Sequence, residues 1–206
     1  NPWDAKNHRG PGGSSSGAGV SLWEGSAVVA FGSDTMGSVR IPASMSGVVG
    51  LKMTYDRWSN EGIVPLRAAL DTPGPLTRSV ADAAFAFAAL DPAHRGRSQQ
   101  FLDHLLKAEI GQFKLGIADP CYWDGCEPGI AETVRDALAV LEQAGARVTD
   151  APSPETAELL DVVMKGGLPN AELAGFLDGE LADWVDQLDP GLKARLEVGR
   201  NQSAAE

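Results

Sequence analysis

The 206-residue sequence holds 28 acidic against 17 basic side chains, a formal net charge of −11, and its length suits one domain or part of a larger one with a sizeable core. With 43% hydrophobic and 22% charged residues and no apolar run of eighteen, it is neither a disordered tail nor a chain with a transmembrane helix. The acidic balance argues against nucleic acid as a partner and no membrane is expected. Two cysteines, Cys121 and Cys126, are too few for a disulfide framework, so a reducing cytoplasm is the expected location. The opening Asn1-Pro2-Trp3-Asp4 shows no charged-then-apolar leader pattern, and no targeting signal is expected. Charge is unevenly spread: the first hundred residues carry 9 basic and 8 acidic side chains, the rest 8 and 20. The chain is therefore read as two segments of one domain, 1–100 rich in Gly, Ser and Pro, and 101–206 with charged helical patterns.

In chain order, residues 10–19 hold five glycines in ten positions and read as a loop lying close to other backbone, with a helix entered over 18–24. Residues 27–32 form a short apolar run bounded by Gly32, which predicts a buried strand, and residues 48–52 read likewise. Ser79, followed by Asp82 and an alanine-rich run to Leu90, predicts a helix with Ser79 as its N-cap. After the polar stretch 92–100, a strand is expected over 113–118. A helix is expected over 130–144, stopped at Gly145, with Ile130, Val134, Leu138 and Leu141 on one face. A strand over 146–150 completes a βαβ unit, which predicts a largely parallel sheet. Residues 155–165, 171–187 and 191–200 read as helices. The fold class is α/β.

The chemistry concentrates in residues 12–42. Gly13-Ser14-Ser15-Ser16-Gly17 fits the G-x-S-x-G nucleophile elbow with Ser15 as nucleophile, but that elbow needs a strand directly before it, and Arg9-Gly10-Pro11-Gly12 is none. His8, His94 and His104 do not sit in contexts that suggest a catalytic base. A phosphate-binding loop would end in Gly-Lys-Ser/Thr, which is absent. A flexible linker would account for 10–19 alone. It does not account for a second cluster, Gly32-Ser33-Asp34-Thr35-Met36-Gly37-Ser38-Val39-Arg40-Ile41-Pro42, at the end of an apolar strand.

Together the two clusters resemble the amidase signature family. The likeness runs on through Gly47-Val48-Val49-Gly50-Leu51-Lys52, Gly62-Ile63-Val64-Pro65-Leu66 and the stretch from Leu70 to Ala84, covering about 12–90 with the motif order kept. The resemblance implies a mixed, largely parallel sheet covered by helices and a Ser–Ser–Lys hydrolase acting on carboxamides, without cofactor or metal. Carried over by motif, Ser38 is the nucleophile and Ser14 the bridging serine, preceded by a cis Gly13–Ser14 peptide bond. Backbone N–H groups of Thr35, Met36, Gly37 and Ser38 would form the oxyanion hole. Ser33, Asp34, Arg40 and Ser15 would support that turn, Asp34 and Arg40 as a structural pair. The implied partner is a small amide, and a homodimer is a further expectation.

Three departures stand out. Met36 replaces the usual Gly, which changes pocket size while keeping the backbone donor. Ser33 replaces Thr. The family's lysine lies several tens of residues before the bridging serine, whereas this chain starts thirteen residues before Ser14, and Lys6 sits in the wrong motif. The chain therefore reads as an internal fragment with its lysine elsewhere. Two further readings stay open: a non-catalytic remnant, and the glutamine-hydrolysing component of a tRNA-dependent amidotransferase. Lys52 and Arg57 read as surface or loop-bracing charges, Cys121 and Cys126 as a strand-end core residue and a loop residue. Glu172, Asp178, Glu180, Asp183, Asp186 and Asp189 read as a solvated helical face, and Trp23, Trp58, Trp123 and Trp184 as packing aromatics.

Overall fold

The computed structural model describes residues 1–4, 6–117, 120–164 and 169–202. In chain order its elements are α1 (Ser16–Glu24), β1 (Val29–Asp34), α2 (Arg40–Ser46), β2 (Val49–Gly50), β3 (Thr72–Thr77), α3 (Val80–Leu90) and α4 (Ser98–Leu105). Then follow β4 (Lys114–Ile117), α5 (Ile130–Gln143), β5 (Arg147–Asp150), α6 (Thr156–Met164), α7 (Pro169–Glu180), α8 (Ala182–Val185) and α9 (Pro190–Arg200). No helix among the described residues is long and apolar enough to cross a membrane. The chain divides into two compact units, residues 1–103 with 168–206, and residues 104–167. The last helices thus group with the Gly- and Ser-rich segment rather than with the βαβ stretch.

The first unit carries a three-stranded sheet in the order β1-β3-β2, both outer strands antiparallel to β3. β1 and β2 therefore run the same way, joined by α2 as a crossover, and β3 returns between them. This unit thus holds the antiparallel part of the expected mixed sheet. The strand responsible, Thr72-Pro73-Gly74-Pro75-Leu76-Thr77, carries two prolines, and its register runs from Val29 opposite Thr77 to Asp34 opposite Thr72.

Prolines are ordinarily confined to strand edges, and here their placement solves the problem. Leu51 N–H donates to the Pro75 carbonyl at 3.0 Å. In extended backbone a residue's N–H and C=O point the same way, so Pro73 and Pro75 turn their missing donors toward β2. Residues 72, 74 and 76 keep theirs for β1. The β2 side needs few donors because β2 is two residues long. Gly74 is required there: a Cβ would lie 2.2 Å from the Leu51 carbonyl oxygen.

Leu22 from α1, Val39, Ala43 from α2 and Leu76 from β3 form the core, with Ala18, Ala27, Ala30 and Val48 packed on it. A second cluster joins Leu173, Ala174 and Leu177 of α7 to Leu196 of α9, with Leu66 against it. The α3 cap is as the sequence predicts: Asp82 N–H donates to Ser79 Oγ at 3.1 Å, and the Ser79 hydroxyl donates to Asp82 Oδ2 at 2.7 Å. The expected helix over 171–187 is broken at Leu181, whose backbone leaves the helical region at φ −136°. α1 starts at Ser16 inside the glycine-rich stretch, two residues earlier than expected. The expected polar stretch before residue 100 gives way to α4.

The second unit is the expected βαβ. β4 and β5 pair in parallel from Lys114 opposite Arg147 to Ile117 opposite Asp150, with α5 between them in sequence. Ala118 of the expected strand and Lys165 of the expected helix lie outside the described residues. The stripe of α5 is present but uncovered within this unit: Ile130, Val134 and Leu141 are exposed, and Ala131 is the buried position.

Candidate active site

The two Gly/Ser clusters meet. Loop 10–15 leads into α1, and the Ser15 N–H donates to the Ser38 carbonyl at 3.2 Å, docking that loop on the turn between β1 and α2. Closeness requires Gly32: a Cβ there would lie 2.2 Å from Ser15 Oγ. The Gly13–Ser14 peptide bond is cis. No strand precedes Ser15 in the described residues, so the nucleophile-elbow geometry is missing. Ser14 is exposed, Ser38 and Ser33 are half-buried, and Ser33 sits opposite Pro73 in the β1–β3 ladder. Ser16, next along, donates its hydroxyl to the Gly12 carbonyl at 2.6 Å and closes the loop on itself.

Asp34, fully buried at the end of β1, organises the turn. One carboxylate oxygen accepts from Gly37 N–H at 2.7 Å and Arg40 Nη2 at 2.9 Å. The other accepts from Arg40 Nε at 2.9 Å and from the N–H groups of Val39 and Arg40 at 3.2 and 3.3 Å. Burial pushes the Asp34 carboxyl up, but the Arg40 guanidinium and the Gly37 and Val39 N–H groups outweigh it and hold it below the ordinary carboxylate range. Arg40 is correspondingly raised by its hydrogen bonds to Asp34. The expected Asp34–Arg40 pair is therefore present and bidentate.

Gly37, expected as an oxyanion donor, already gives its N–H to Asp34, which removes it from that set. The N–H groups of Thr35, Met36 and Ser38 have no partner among the described residues. Met36 is exposed and, with Gly37, Arg40, Ile41, Ser44 and Met45, lines a hollow of about 350 Å³.

Asp71 lies within the stretch from Leu70 to Ala84, to which the sequence reading assigns no site role. It is 3% exposed and accepts a hydrogen bond from the Thr35 hydroxyl, 36 residues away in sequence. Its signal in the sequence is an acid directly before Thr72-Pro73-Gly74 within that stretch. Lys6 is exposed and Lys52 donates to the Met53 carbonyl at 2.9 Å. Arg57 braces a loop as expected, pairing with buried Asp91 at 2.6 Å beside Trp58 Nε1. Cys121 differs from the expected strand-end position, lying half-buried in a 3₁₀ turn, and Cys126 is exposed. Glu172 and Asp178 are engaged by Arg67 and Arg200 rather than merely solvated. Among the described residues no cluster of His, Cys, Asp or Glu could hold a metal ion.

The family model described as Amidase matches residues 1–183. The chain belongs to the amidase family. It is 47% identical over 206 residues to a 2-amino-5-chloromuconic acid deaminase of Comamonas testosteroni, covering 100% of this chain and 44% of that protein. It is 40% identical over 168 residues to a glutamyl-tRNA(Gln) amidotransferase component of Carboxydothermus hydrogenoformans, covering 79% of this chain and 34% of that one. The native peptide amidase of Stenotrophomonas maltophilia superposes with a TM-score of 0.70 at 26% identity, over 95% of this chain and 45% of the enzyme. An amidase-family chain thus folds here as a segment spanning less than half the length of these relatives.

Proposed function

We propose that the polypeptide carrying this chain hydrolyses a carboxamide C–N bond through an acyl-enzyme on Ser38. The observation that carries the reading is the Ser38 turn itself, clamped by Asp34 with the Thr35, Met36 and Ser38 N–H groups left free beside the Ser14 loop. Ser38 Oγ attacks the amide carbon and the carbonyl electrons move onto oxygen, where the free N–H groups receive the charge. Ser14 takes the Ser38 proton and passes it to a lysine outside these 206 residues, and the same relay returns a proton to the departing nitrogen. The C–N bond breaks, ammonia or an amine leaves, and water then cleaves the ester to carboxylate and free Ser38. Ser14 is exposed, which suits a base supplied from elsewhere in the polypeptide.

The test uses the full-length protein with a fluorophosphonate and peptide mass mapping. Label on Ser38, and a fall of about three orders of magnitude or more in kcat for Ser38→Ala, support the reading; label on Ser15, or on no serine, sinks it. The likeness to the amidotransferase component favours one further reading, glutamine hydrolysis with ammonia passed to a partner. Glutaminase activity that rises only when the other amidotransferase components are added would select it over a free-standing amidase, toward which Met36 leans.

A further inference from the structure

We propose that Asp71 is a positioning residue for the oxyanion turn, acting through the Thr35 hydroxyl; this rests on reading that turn as the oxyanion hole. The Asp71 carboxylate is a fixed post. One oxygen accepts from Thr35 Oγ1, and the other accepts the N–H groups of Leu66 and Arg67 at 2.8 and 3.0 Å. Its own carbonyl accepts from Asn60 Nδ2 at 2.8 Å. Because Asp34 is opposite Thr72 in the ladder, Asp71 stands directly across from Thr35.

Thr35 is the first free donor of the turn, and it is β-branched, so holding its hydroxyl fixes χ1 and restrains the peptide planes on either side. Asp34 grips the far end of the same turn through Gly37, Val39 and Arg40. Two buried carboxylates thus hold the turn from its two ends, and between them lie the N–H groups of Thr35 and Met36. Asp71 touches no reacting atom. Its effect is to keep those donors aimed where charge develops, and misplacement on the order of 1 Å costs up to about a hundredfold in rate.

The experiment measures kcat, KM and the rate of Ser38 phosphonylation by a fluorophosphonate in the full-length protein and its variants. Thr35→Val, which keeps shape but removes the hydroxyl, is expected to lower kcat and the labelling rate about ten- to hundredfold with KM within about threefold. Thr35→Ser is expected to recover both rates to within about threefold of the parent. Adding Asp71→Asn to Thr35→Val is expected to lower them no further, because the link is already cut. If Thr35→Val does not accumulate as folded protein, Asp71→Asn alone carries the test, a lowered kcat at unchanged KM supporting the proposal and a parental kcat overturning it. Thr35→Val at the parental rate, or Thr35→Ser as impaired as Thr35→Val, overturns the proposal while Ser38 still labels. Failure of the parent to label at Ser38 overturns the hydrolase reading and this proposal with it.

Discussion

Asp34 concentrates more polar contacts than any other side chain at the candidate site, and its energetics follow from where it lies. The carboxylate is fully buried, while the Arg40 side chain is 54% exposed, so solvent weakens the ion pair and the backbone donors matter at least as much. Asp34→Asn is expected to cost about 2–3 kcal/mol, by leaving N–H groups and the guanidinium poorly matched. Because the folded state holds this carboxyl below its ordinary value of 3.8, its stabilisation is complete above that value and is lost as pH falls through the lower folded one. Thermal melts of the full-length protein from about pH 5 to pH 2 should show a loss that sets in near pH 4 for the parent and is shallower for Asp34→Asn. An equal pH slope in both would contradict the assignment. Met36 acts through size rather than charge. Met36→Gly keeps the backbone donor and opens the 350 Å³ hollow beside it, so KM for bulkier amides should fall severalfold with kcat little changed.

At the scale of elements, α1, β1 and α2 act together because one close approach joins them. Gly32→Ala places a methyl 2.2 Å from Ser15 Oγ, 2.7 Å from Ser15 Cβ and 3.2 Å from Val39, on a strand paired along its length with β3. The Ser15–Ser38 backbone contact should open, and activity should fall at least tenfold even where the protein stays folded by circular dichroism. α3 lies away from that contact, and its cap is a local matter. Ser79→Ala removes the acceptor for Asp82 N–H and is expected to cost about 1 kcal/mol in denaturant unfolding, without a change in KM.

For the whole molecule, the 206 residues alone leave much apolar surface in water: Val80, Phe85 and Phe31 are 73%, 62% and 53% exposed. β1 and β2 are both outer strands of their sheet, and unpaired outer strands template association. Produced by itself, this segment is expected to aggregate on size-exclusion chromatography and to show no turnover of a simple aryl amide, since in the proposed mechanism the base that receives the Ser14 proton lies outside it. A soluble monomer whose activity is abolished by Ser38→Ala would instead show that a base within the segment, such as Lys6 or Lys52, does the work.

What the sequence determined by itself was local or carried by motif. The Ser79 cap and the stop at Gly145 depend on neighbours a few residues away, and strand, helix and strand over 113–150 follow from periodicity. The serine clusters, in order and at their spacing, carried the family. Tertiary structure alone decided what joins distant residues. A strand with two prolines became the central one because both face the two-residue β2, which no local propensity reveals. Asp71 gained Thr35 across 36 residues, because the antiparallel return of β3 sets them opposite. The stripe on α5 was legible too, yet periodicity says only that a face is apolar; what covers it is a property of the packed chain.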